Sequence, residues 1–363
     1  MMAPIRVLLV EDSPVVLIVL KRIFASSPEI EVVGTACNGL EALEAIPKVQ
    51  PDVICTDFHM AQMDGLEFIK EVMAKFPRPI LVISASVQAE DTYNVFQLLE
   101  AGAVDVFPKP TSGLVSDYER LRLELTAKIK ILSGVKVFTR HQRKGGTLEQ
   151  VRGGERIITN YQLPTTNYQL PITNYQSRVI KILAIGASTG GPQALHKIIS
   201  QLPGKFPVPV ICIQHISEGF LKGLVDWLAS GSKLPVKIAN SGEKPQAGTI
   251  YFPPEKRHLE LDKVGRFIYS TAPPVGGHCP SVTVTFKSVA SFYGRTAAGV
   301  LLTGMGRDGA EGMLAIAQAG GLTIAQDEAS CVVFGMPKEA IALNAVQHVL
   351  PIGEIAPLLL SKI

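Results

Sequence analysis

Ser188 stands in Gly186-Ala187-Ser188-Thr189-Gly190-Gly191, directly after an apolar run that reads as a strand and before a stretch that reads as a helix. A serine on so tight a turn is lifted clear of the sheet, beside helix N-terminal amides that can bind an oxyanion. The same glycines could cradle a nucleotide phosphate. However, the run is not GxGxxG, and the next strand, VPVICIQH, ends in His215 rather than in an acidic residue that would hold a ribose. A third strand leads into Gly304-Met305-Gly306-Arg307-Asp308-Gly309, whose glycines permit close approach of Asp308. Nucleophile, base and orienting carboxylate would then share one sheet edge, which is the layout of acyl transfer. Asp327 and Glu328 also follow a strand (LTIAQDE) and are rival carboxylates. The chain order Ser, His, Asp differs from the Ser, Asp, His of α/β-hydrolases, which argues against a lipase-type enzyme. Among the other histidines, His258 and His278 fall in loops and read as surface or structural residues. His196 lies on a helix, and His59, His141 and His348 lack serine neighbours.

A second set of polar residues terminates strands nearer the N-terminus: Glu11-Asp12 after the first, Asp57 after the third, Ser84 after the fourth and Lys109 after the fifth. Singly, each is ordinary turn chemistry. Together, in a parallel sheet, they converge on one edge. Three carboxylates in one place repel one another and need a cation, and all-oxygen ligands suit Mg²⁺ rather than zinc. The lysine and the hydroxyl could then neutralise and hydrogen-bond an incoming phosphoryl group.

The elements that must position these groups are legible as periodicity. Residues 1–131 alternate apolar runs (5–10, 30–36, 52–57, 79–84, 104–107) with helix-like segments such as 14–24, 65–75, 91–101 and 117–132. Five βα units imply a parallel sheet covered on both faces. From residue 179 the alternation resumes, with strand-like runs at 179–185, 208–214, 249–252, 267–271, 298–303 and 322–325. Helix-like segments lie at 191–201, 281–293, 308–319 and 338–345. The expected fold class is two doubly wound α/β domains, flavodoxin-like and then Rossmann-like, with an antiparallel addition around 249–271. The segment 132–178 reads as a flexible linker. It holds glycine pairs and an Asn-Tyr-Gln unit recurring at 160, 167 and 174, with Leu-Pro following two of the units, which excludes a coiled coil.

Composition narrows the class further. With 363 residues, 47% of them apolar and 18% charged, the chain is globular and long enough for two cores. Five scattered cysteines without a CxxC pair favour a reducing compartment over a disulfide framework or zinc site. No signal peptide is evident, and no run approaches the roughly 20 apolar residues that span a bilayer. A cytoplasmic protein without membrane insertion is expected. Charge is uneven: residues 1–110 carry 8 Lys/Arg against 15 Asp/Glu, while residues 128–157 carry 8 against 2. The basic stretch has no interleaved aromatics and reads as a solvated linker, not a nucleic-acid site.

Two resemblances sharpen the reading. Residues 4–131 resemble the receiver domain of two-component response regulators. That implies Asp57 as phosphoacceptor from a chemotaxis histidine kinase, Glu11, Asp12 and Asp57 as Mg²⁺ ligands, Ser84 as switch hydroxyl and Lys109 as the accompanying lysine. Ala61 stands where that family usually has proline, and Val106 where it has an aromatic switch residue. The motifs GASTGGPQAL, QH at 214–215, LLTGMGRDGAEGM at 301–313 and AQDEASCVVFGMPKEAI at 325–341 resemble the catalytic domain of the chemotaxis protein-glutamate methylesterases. This implies Ser188 as nucleophile, His215 as base, Asp308 as its carboxylate, and the Met305 amide with Thr189 around the oxyanion. The implied reaction is hydrolysis of glutamate methyl esters, and deamidation of glutamines, on methyl-accepting chemotaxis receptors, with no cofactor at the hydrolase site. Thr283 replaces a common aspartate, and ISEGF follows His215 where a proline-rich stretch is usual. A small-molecule esterase and a non-catalytic nucleotide-binding module are the rival readings.

Overall fold

The computed structural model describes residues 3–84, 89–110, 115–135, 137 and 179–363; the Asn-Tyr-Gln units lie outside these. The first sheet is built by β1 (Ile5–Val10), α1 (Pro14–Ala25), β2 (Ile30–Ala36), α2 (Gly39–Val49), β3 (Val53–Thr56), α3 (Gly65–Lys75), β4 (Ile80–Ser84), α4 (Ala89–Ala101), β5 (Asp105–Pro108) and α5 (Val115–Leu132). Its strand order is β2-β1-β3-β4-β5, with every pairing parallel. β3 and β4 are buried at every residue, because helices cover both faces, so their sequences are apolar without alternation. Helix starts are set by short polar side chains. Asn38 accepts from Glu41 N–H and Asp64 from Glu67 N–H, each satisfying a donor the helix leaves open.

The second sheet follows with β6 (Ile182–Ala187), α6 (Gly191–Ile199), β7 (Val210–Gln214), α7 (Leu221–Gly231), β8 (Val236–Ile238) and β9 (Ile250–Phe252). Next come β10 (His258–Leu261), β11 (Phe267–Ser270), α8 (Val282–Tyr293), β12 (Ala297–Leu301), α9 (Ala310–Gln318), β13 (Leu322–Gln326), α10 (Met336–Ala342), β14 (His348–Leu350) and α11 (Ile352–Lys362). Seven strands pair in the order β14-β13-β12-β6-β7-β9-β8, all parallel. Both domains are therefore parallel α/β layers, as the alternation implied. The expected antiparallel addition is narrower than 249–271: β9 joins the main sheet in parallel, and only β10 and β11 form an antiparallel pair. The short edge strands β8 and β14 had too few apolar residues to register as periodic runs.

In each sheet the first strand is interior, and later strands are added on both sides of it. The switch lies between β1 and β3 in the first sheet and between β6 and β12 in the second. Crevices open at such points, beyond the carboxyl ends of the strands. The two units also touch. Phe96 of α4 stacks on Trp227 of α7 with ring centroids 5.6 Å apart. Trp227 Nε1 donates to Glu100 Oε1 at 3.2 Å, and Gln193 Nε2 donates to the Ala103 carbonyl at 2.8 Å. One apolar core runs through this contact, from Leu98 and Leu99 to Leu221 and Leu224.

Candidate active site

β6 and β7 run side by side with Ala187 opposite Gln214, so Ser188 and His215 emerge from adjacent strand ends. His215 N–H donates to the Ala187 carbonyl at 3.0 Å, and Ser188 N–H to the Thr303 carbonyl at 3.0 Å, which locks Ser188 between β7 and the end of β12. Glycines make the approach possible. A Cβ on Gly304 would lie 2.7 Å from Ser188 Cβ, and one on Gly191 would meet Gln214 Oε1 at 2.0 Å. Gly190, at φ 76°, supplies the left-handed step into α6.

His215 Nε2 sits 2.8 Å from Asp308 Oδ2. A carboxylate only accepts, so Nε2 carries the proton and Nδ1 keeps its lone pair. That Nδ1 is buried and has no hydrogen-bond partner. Asp308 is 7% exposed, yet every direction around it is filled by donors. Oδ1 accepts from Ser281 Oγ (2.8 Å) and from the Thr283 and Gly309 amides (both 3.0 Å), while Oδ2 also accepts from Val282 N–H (2.8 Å). Burial pushes this carboxyl upward, but the His215 bond and charge, with the Thr283 amide and Ser281 hydroxyl, outweigh it and hold it well below the usual range. The first turn of α8 thus points its open amides at Asp308. Thr283 accepts from Gly309 N–H through Oγ1 at 2.7 Å.

The structure brings Ser188, His215 and Asp308 to one edge. Asp327, the rival, instead caps its own turn, accepting from Ser330 N–H at 3.1 Å. Met305, half-exposed, follows Gly304 on the loop that touches Ser188, and Thr189 is buried directly after Ser188. Residues that periodicity did not single out complete the site. Gln214 Nε2 donates to both the Ser188 and His215 carbonyls at 2.8 Å, tying the two strand ends together. Ser281 had no signal beyond its position as a helix cap. Of the two histidines read as surface or structural loop residues, His258 is structural but starts a strand, and His278 is neither on the open surface nor remote from the site. His258 is fully buried at the start of β10, and the His278 ring lies flat on His215, centroids 3.8 Å apart. Neither has a motif of its own; each is found only through long-range packing.

At the edge of the first sheet, Glu11, Asp12 and Asp57 bring ligand atoms within 4.8 Å of one another. Lys109 Nζ donates to Asp57 Oδ2 at 2.7 Å and Glu11 Oε1 at 2.9 Å. Burial raises the Asp57 carboxyl above its ordinary value despite Lys109, and the same holds for Glu11. Glu11 Oε2 is buried with no partner, an orphan acceptor that a cation would satisfy. Ser84 ends β4, buried, and its carbonyl accepts from Lys109 N–H at 2.9 Å. Val106 faces inward, into the core shared with α4.

Comparison with known proteins bears on both sites. The family model described as CheB methylesterase matches residues 183–359, and that described as response regulator receiver domain matches residues 7–115. Protein-glutamate methylesterase/protein-glutamine glutaminase 1 of Syntrophus aciditrophicus is 39% identical over 359 residues, covering 98% of each chain. Protein-glutamate methylesterase/protein-glutamine glutaminase 3 of Hahella chejuensis is 42% identical over 353 residues, covering 97% of each. The crystal structure of the Thermotoga maritima CheB methylesterase catalytic domain aligns with a TM-score of 0.50 at 39% identity, over 51% of this chain and 99% of that one.

Proposed function

Because the chain belongs to the CheB methylesterase family and carries a response regulator receiver domain, we propose that Ser188, His215 and Asp308 hydrolyse glutamate methyl esters, and deamidate glutamines, on methyl-accepting chemotaxis receptors under phosphorylation control. The enzyme class, protein-glutamate methylesterase and protein-glutamine glutaminase, follows from membership. One observation carries the residue assignment: His215 is held by Asp308 through Nε2 while its buried Nδ1 stands unpartnered one strand from Ser188.

In this reading Nδ1 takes the Ser188 hydroxyl proton as Oγ attacks the γ-carbonyl of the substrate side chain. The oxyanion falls beside the Met305 and Thr189 amides. Collapse breaks the ester bond; methanol departs with the proton from His215, and water then cleaves the acyl-enzyme to free glutamate and serine. With glutamine the same steps release ammonia. Asp308 keeps the ring in the tautomer that leaves Nδ1 basic and stabilises the imidazolium.

The receiver unit, residues 1–131, is joined to the catalytic unit, 179–363, through a linker at 132–178. Asp57 accepts the phosphoryl group from a chemotaxis histidine kinase. The Glu11, Asp12 and Asp57 carboxylates fit Mg²⁺, which would supply charge to offset the phosphoryl oxygens. Lys109 and Ser84 then meet the modified side chain. Occlusion of the active site is supported by Val332: it crowds Gly190 beside the nucleophile and also packs against the apolar core of the first sheet. No helix among the described residues is long and apolar enough to cross a membrane, which fits an enzyme that meets its receptors from the cytoplasm. The test is methanol release from methylated receptor cytoplasmic fragments with and without a small-molecule phosphodonor. Activity on generic acyl esters but not on these fragments overturns the substrate assignment. Chelating Mg²⁺ should abolish the phosphodonor's effect and leave basal turnover in place.

A further inference from the structure

The segment 273–281 reaches the active site twice. At its far end Ser281 Oγ donates to Asp308. In its middle, Gly276 and Gly277 take φ values of 59° and 87°, so the chain reverses in two residues. Val275 and His278 close that turn with paired backbone bonds of 3.1 and 3.0 Å. The base of the segment is pinned from beneath by His258. Ser281 N–H donates to its Nδ1 at 3.1 Å, which places the ring proton on Nε2, facing the Pro273 carbonyl at 3.3 Å. A fully buried imidazole in one fixed tautomer therefore holds both ends of the segment. The result is a rigid turn that lays His278 on His215, centroids 3.8 Å apart and planes only 4° from parallel.

We propose that His278 is a positioning residue for the hydrolysis: its neutral ring is a platform that fixes the plane of His215 and stabilises the imidazolium formed as the Ser188 proton arrives. A neutral aromatic ring carries negative charge over its faces, and a cation laid on that face is attracted. The effect is larger on the charged His215 of the transition state than on the neutral ring of the resting enzyme, so it acts on kcat. Burial, and then the neighbouring His215 charge, push the His278 imidazole down to about 4, so it stays uncharged at neutral pH. Asp308 acts from the ring edge and His278 from its face, and together they remove the two rotations left to His215.

This inference rests on His215 being the base, so the experiment includes His215→Ala. Methanol release is measured on the full-length chain with phosphodonor for His278→Ala, His278→Leu and His278→Phe. The expectation is a fall in kcat of about tenfold for alanine and leucine with KM within about twofold, and recovery of most of the loss by phenylalanine, which keeps the π face without ring nitrogens. Wild-type kcat in the alanine or leucine variant overturns the platform, as does a loss confined to KM. A phenylalanine variant no better than alanine also overturns it, since a ring nitrogen would then be the active feature. If His215→Ala itself retains turnover, the base assignment fails rather than the platform alone.

Discussion

Asp308 accepts from five donors: the His215 ring, the Ser281 hydroxyl and the amides of Val282, Thr283 and Gly309. Such a carboxylate is both oriented and kept ionised. Asp308→Asn would present an amide N–H to part of that donor set and disfavour the Nε2–H tautomer, so kcat should fall by about 10⁴-fold in a methanol-release assay while substrate binding persists. Ser188→Ala should lose at least about 10³-fold; near-wild-type turnover would remove serine from the nucleophile's role. His278 contributes to the acid side of the stability profile. It protonates near 6.5 when exposed but only near 4 in the fold, chiefly because burial disfavours its charge. The unfolded chain therefore binds the proton first, and this contribution to stability is lost as pH drops from 6.5 towards 4. Removing this imidazole removes that dependence, so thermal melts across this window should show a shallower decline for His278→Phe than for wild type.

At the scale of elements, the site depends on three strand ends meeting without side chains in the way. The turn after β12 is the instance that bears on the serine itself, because a Cβ on Gly304 would collide with Ser188 at 2.7 Å and with Met336 Sδ at 2.4 Å. The methionine can swing aside, whereas Ser188 is tethered by its amide to the Thr303 carbonyl. Gly304→Ala should therefore displace the serine and lower kcat by about 10²-fold, with a much smaller effect on folding. Steady-state kinetics paired with a melting curve would separate these; equal activity with reduced stability would show that the serine tolerates the shift. α8 contributes differently. Its capping residue Ser281 and its first two amides all donate to Asp308, so a helix start and the hydrogen-bond set of the proposed site are one structure.

For the whole molecule, the informative contact is α4 on α7. Trp227, the sole tryptophan of the chain and 2% exposed, lies between Phe96 and His196, with Glu100 accepting its ring N–H. If phosphorylation separates the two units, Trp227 becomes wetter and its emission should shift to longer wavelength on adding phosphodonor with Mg²⁺. Phe96→Ala should weaken the same contact and raise unphosphorylated methanol release several-fold, since burying an aromatic ring is worth a few kcal/mol. An emission spectrum unmoved by the phosphodonor, in a chain shown to be phosphorylated, would mean that activation does not pass through this interface.

What the amino-acid order determined alone was local or periodic. Short apolar runs alternating with helix-like segments imply strands buried on both faces, so two parallel sheets were legible, and with them the edge where Ser188, His215, Asp308 and the Glu11–Asp57–Lys109 set emerge. Short edge strands and the parallel pairing of β9 were not legible, because a three-residue strand takes its partner from the sheet rather than from its own pattern. Tertiary structure alone decided the roles of Gln214, His258, Ser281 and His278. Each acts through a partner brought close by folding, as when His278 reaches His215, 63 positions earlier in the sequence, to lie 3.8 Å away. Nothing in the spacing of two histidines on different loops encodes that contact; it arises because one glycine turn is pinned against the floor of the second sheet's crevice.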